Sequence, residues 1–123
     1  MISYQIYKII HVTGIVLLYM GLGGILLVSA SGGAIKGKAK LLGMVGHGVG
    51  LVFILVSGFG MLARLGIIQG GMPGWVYAKL VIWGLAGIFV SVAKRKAQHA
   101  GTVFVLFMAL ATTAAYVAIY KPF

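Results

Sequence analysis

Residues 4–29 read YQIYKIIHVTGIVLLYMGLGGILLVS. A transmembrane helix needs about 20 predominantly apolar residues, and this run is long enough to be one. It carries Lys8 and, about two turns in, His11. A charge at the centre of a bilayer costs roughly 2.5–3.5 kcal/mol on insertion scales, so an ionisable residue at that depth marks function or a built partner. The rest of the chain is read for what it can offer this histidine.

Three further apolar runs follow, at residues 41–68, 75–93 and 100–120. None alternates, and each is too long for a strand, so helices are expected throughout. The connections are short. They are the segment 30–40 with Lys36, Lys38 and Lys40, the turn Gln69-Gly70-Gly71-Met72-Pro73-Gly74, and the basic turn Lys94-Arg95-Lys96-Ala97-Gln98-His99. Short connections make neighbouring helices antiparallel. The expected fold is all-α: an integral membrane up-down-up-down four-helix bundle forming a single domain over residues 1–123. The two basic connections share one side, which the positive-inside rule makes cytoplasmic. Both termini then lie on the outer side of a bacterial-type inner membrane. The first span lacks a basic n-region before a short apolar core, so it is expected to stay as an anchor.

Composition narrows the chemistry. The 123 residues are 62% hydrophobic, well above a soluble domain, and include ten Lys and Arg but no Asp or Glu. The cations cluster between apolar runs, so lipid headgroups rather than nucleic acid are the expected partner. Paired-carboxylate catalysis and an intramembrane acid relay are excluded. With no cysteine there is no thiolate, disulfide or iron–sulfur cluster. Chemistry must come from His11, His47, His99, Lys, Arg, Tyr and Met, or from a cofactor. Tyr4, Tyr7, Trp75, Tyr77, Tyr116 and Tyr120 fall at the ends expected to face outward, as an aromatic belt would. The 20 glycines, Gly46 and Gly50 among them, suit close helix crossings.

Depth along the helices brings several polar residues to one level. His11, Arg64 and Lys79 belong to three different helices at similar depth, and Lys8 sits three residues before His11 on the same face. An imidazole and several cations without an acidic residue suit a flat, anionic, amphipathic ligand. For a haem, His11 would ligate iron and Arg64 and Lys79 would pair with the propionates. A quinone headgroup bonded by His11 or Lys79 is the alternative ligand, and snorkelling to headgroups is the alternative role for both cations. Towards the other side, His47 and His99 could face each other as axial ligands of a second haem.

Two motifs extend this reading. The segment Tyr7-Lys8-Ile9-Ile10-His11-Val12-Thr13-Gly14 resembles the opening helix of HemJ-type protoporphyrinogen oxidases, where a lysine precedes the histidine by three residues. Trp75-Val76-Tyr77-Ala78-Lys79-Leu80 resembles the later Trp-x-x-x-Lys-Leu motif of that family. CopD-like membrane proteins are similar in having short helices with an early histidine. The resemblance implies a haem b-binding helical membrane protein, with the first-helix histidine and third-helix lysine as functional positions. These map onto His11 and Lys79, the latter then catalytic. Where that family carries a basic residue near the end of its first helix, this chain has Gly23-Gly24-Ile25-Leu26-Leu27.

The resulting expectation is a haem b protein with a redox role, either porphyrinogen oxidation or quinone-linked electron transfer, working as a homodimer. The alternatives are a small dimeric transporter or channel and a non-catalytic assembly subunit of a membrane complex. Small multidrug transporters use an intramembrane glutamate, which this chain lacks.

Overall fold

The computed structural model describes residues 2–122. Four long helices run in sequence: α1 (Tyr4–Ala30), α2 (Gly37–Leu65), α3 (Gly74–Arg95) and α4 (Ala100–Tyr120). All four are long and apolar enough to cross a membrane. The chain is a multi-pass membrane protein, and its fold is the expected all-α bundle. Single 3₁₀ turns at Ile67–Gly70 and Ala97–His99 lead into α3 and α4.

The helix ends follow local chemistry. Ser3 caps α1 by accepting a hydrogen bond from the Ile6 N–H at 3.3 Å. Helix α2 begins at Gly37, four residues before its apolar run, so Lys38 and Lys40 ride on its first turn. Hydrophobicity could not locate that start, because cations at a helix N-terminus oppose its dipole. The same helix stops at Leu65 rather than 68, because Gly66 takes the left-handed conformation at φ 71° and closes the last turn on Ala63 O. Helix α3 runs on to Arg95, placing Lys94 and Arg95 in its last turn, where the dipole favours them.

The main packing seam joins α1 to α2. Along α1 the seam residues are Tyr7, His11, Gly14, Leu18, Gly21 and Ile25, at steps of four and three residues alternately. Their antiparallel partners on α2 are Gly60, Ser57, Gly50, His47 and Gly43. This 3-4 repeat is that of a left-handed coiled seam. Glycine is obligatory at two crossings. A Cβ on Gly50 would lie 2.6 Å from Gly14 O, and one on Gly21 would lie 2.5 Å from Gly43 O. The helix backbones therefore nearly touch, which is how helices associate where lipid supplies no hydrophobic drive.

The core occupies the half of the bundle nearest the basic connections. It is built from Leu18, Leu22, Ile25 and Leu26 of α1, Ala86 and Ala93 of α3, and Ala100, Val103 and Phe107 of α4. Phe107 is its hub, with ring centroids 4.6 Å from Tyr19 and 5.2 Å from Phe89. At the opposite end, where the termini and the Gly-rich turn lie, the helices enclose a cavity of about 440 Å³.

Gly50→Val forces backbone apart at one of the two close crossings and should lower stability by ~1–3 kcal/mol, as overpacking does. Thermal unfolding in detergent should show a depressed midpoint for Gly50→Val and an unchanged one for Gly48→Ala, whose added Cβ meets nothing within 4 Å.

Candidate functional site

The cavity is lined by all four helices or their ends. Its polar groups are His11 and Lys8 of α1, Lys79 of α3, and Lys121, which follows α4. Its apolar walls include Ile54, Leu55, Phe59 and Leu62 of α2 and Trp75, Val76, Leu80 and Trp83 of α3. Trp75, Lys79 and Trp83 recur every four residues, so one face of α3 presents two indoles with an ammonium between them. The Trp83 indole N–H donates to Leu51 O at 2.9 Å, which fixes that ring against α2.

His11 is held through the seam. Its Nδ1 lies 2.9 Å from Ser57 Oγ. The Ser57 hydroxyl is fully buried and also approaches two carbonyl oxygens of its own helix, Phe53 O closely and Ile54 O at 3.3 Å. Carbonyls only accept, so the hydroxyl proton goes to the helix and Ser57 Oγ accepts from His11 Nδ1–H. That tautomer leaves Nε2 with its lone pair. Among the described residues Nε2 has no side-chain hydrogen-bond partner, and His11 lines the cavity. An imidazole whose other nitrogen is tied down is the form in which histidine ligates metal ions.

The polar groups are graded in depth. At 1.5 Å per residue, Lys8 lies ~6 Å and His11 ~10 Å from the start of α1, and Lys79 ~7 Å from the start of α3. Lys121 stands at the end of α4 itself. Cations therefore surround the mouth, and the imidazole lies deepest.

The remaining sequence candidates are placed elsewhere. Arg64 is exposed one residue before the end of α2 and does not line the cavity. His47 is buried in the core, and neither of its nitrogens faces a cavity. Nε2 lies 3.0 Å from Ala86 O and Nδ1 3.3 Å from Leu18 O. A neutral imidazole has one N–H, so the ring donates to one of these carbonyls and packs against the other, between α3 and α1. Iron could reach His47 only by breaking one of these contacts within the core, where the Phe107 ring centroid is 6.2 Å away. His99 is exposed at the start of α4, and no hydrogen bond or ring contact joins it to His47 among the described residues. Phe107 lies eight residues beyond it, about 12 Å along the helix. These two histidines are not brought together as axial partners. Among the described residues no three His, Cys, Asp or Glu side chains cluster.

Ser57, Trp83 and Lys121 enter the site without a sequence signal of their own, and Trp75, expected in the aromatic belt, lines it too. Ser57 is back-bonded to its own helix, and its second partner depends on the register of the seam. The i, i+4 spacing of Trp75, Lys79 and Trp83 was the available signal for the α3 wall.

The chain matches no protein-family model, and comparison with curated proteins and with solved structures also gives no match. The site therefore stands on its own geometry.

His47→Phe keeps the ring volume but removes the ring N–H donor. It should lower stability by about 1 kcal/mol, the net worth of one hydrogen bond, since both carbonyls keep their intrahelical partners. Denaturation followed by circular dichroism in detergent checks this, with His99→Phe expected to be neutral.

Proposed function

We propose that this protein is a haem b-binding membrane protein with a redox role, His11 being the iron ligand through Nε2. The observation that carries the reading is the His11 tautomer. Ser57 accepts a hydrogen bond from Nδ1–H, which leaves Nε2 its lone pair on a residue that lines a largely apolar cavity. The donor set fits the group. A haem offers a flat apolar ring for Trp83, Phe59 and Leu80, and acidic groups for the ammoniums of Lys8 and Lys79. Bound there, the haem would supply one-electron chemistry.

The chain's own residues bind, orient and exclude water. Ser57 keeps the imidazole from turning. The Trp83 indole, anchored on Leu51, provides a fixed flat wall. Lys79 is half-buried and no acidic side chain exists to neutralise it, so it attracts an acidic group of the ligand or of a porphyrin substrate. The resemblance of the Lys8–His11 and Trp75–Lys79 segments to HemJ-type oxidases favours porphyrinogen oxidation as the redox role, with Lys79 as the catalytic residue. The fold places the cavity at the end opposite the basic connections. By the positive-inside rule that end is the outer face of a bacterial-type inner membrane.

Protein purified from a haem-replete host should be coloured, with a Soret band that His11→Ala abolishes and Ser57→Ala weakens. Lys79→Gln should keep the band with haem affinity reduced about tenfold, the worth of one charge-assisted contact of ~1.4 kcal/mol. A colourless protein that takes up no added haem would overturn the reading. Orientation is checked separately. The chain lacks cysteine, so single cysteines at Lys38 and Gln69 should be labelled from opposite faces of spheroplasts, Gln69 from outside.

A further inference from the structure

Lys121 lines the cavity at the end of α4, and two features orient its ammonium there. Its backbone is left-handed at φ 48°, ψ 59°, with its N–H bonded to Val117 O at 3.0 Å. Residues other than Gly, Asn and Asp seldom take that conformation. The turn ends α4 and carries the side chain towards α3, where Nζ rests 5.4 Å from the centroid of the Trp75 ring. Across the mouth, Lys8 Nζ stands 6.0 Å from the Tyr4 ring centroid. Both lysines line the cavity. Each is thus a long cation laid on an aromatic face, which limits the freedom it would lose on meeting an anion.

Building on the cavity reading above, we propose that Lys121, seated on Trp75, is a further ligand-binding residue, and that with Lys8 it selects ligands carrying two carboxylates on one edge. The two cations come from opposite ends of the chain, one on α1 and one just after α4, and together offer two separate contacts for acidic groups. The apolar body of such a ligand then points inward towards Trp83 and His11, and its acidic edge stays at the mouth. Lys79, deeper than either, lies between the two ends of the ligand.

The test uses iron-free protoporphyrin IX and its dimethyl ester, titrated against the full chain in detergent and read by tryptophan quenching. The wild type should bind the diacid at least tenfold more tightly than the diester. Lys121→Gly suits the left-handed position, so its fold should hold. It should weaken diacid binding about fivefold and leave diester binding within about twofold, a reduction scaled to one partly exposed charge-assisted contact. Lys121→Arg should restore the preference, and Lys38→Gly, at the opposite end of the bundle, should not change it. Equal weakening of diacid and diester by Lys121→Gly, no weakening of either, or no porphyrin binding by the wild type would each overturn the proposal. Loss of the haem Soret band with the diacid preference intact would instead remove His11 as iron ligand and leave Lys121 in its role.

Discussion

Two helices in lipid gain nothing from hiding apolar surface from water, so α1 and α2 hold together by bringing their backbones close. Gly14 against Gly50 and Gly21 against Gly43 set that distance. The two glycine pairs are seven residues apart on each helix, which also fixes the register. Everything between and beyond them inherits its position. His47 is delivered to the Leu18 carbonyl, and Ser57 to the His11 ring. A slip of one residue would leave the imidazole facing an apolar neighbour, with its tautomer no longer determined.

The bundle divides its length between a packed core and an open cavity. Near the basic connections, Phe107, Tyr19, Phe89 and His47, held between two carbonyls, fill the space between helices. Near the termini the same four helices leave a cavity with His11 at its depth. The two buried polar residues, His47 and Ser57, mark the two regimes. One is spent entirely on joining three helices. The other orients a side chain whose remaining nitrogen is left unused by the protein.

The class of fold was open to reading from the apolar runs and the basic connections, since length and charge pattern act locally and leave few alternatives. The convergence of His11, Lys8 and Lys79 was also legible, because depth along a helix can be counted in residues. Rotation about the helix axis could not be counted in the same way. Arg64 lies at a suitable depth yet is exposed away from the cavity, and His47, which looked like a ligand beside two glycines, turns both nitrogens to carbonyls. Gly48 and Gly21 look alike in sequence, but only the second meets a facing backbone. Which face of a helix meets a partner is settled by tertiary packing, and a uniformly apolar helix carries little amphipathic signal to announce it.

The seam between α1 and α2 also bears on the order of assembly. A chain is made and inserted from its N-terminus, and units complete early can fold early. The first hairpin contains both glycine pairs, the Ser57–His11 bond and the Leu18 contact of His47, all before α3 exists. The imidazole is therefore aimed by the first two spans alone. Helix α3 then brings Lys79, both tryptophans and the Ala86 carbonyl for His47, and α4 supplies the Phe107 plug. Biogenesis would thus set the imidazole first and its cationic surroundings second.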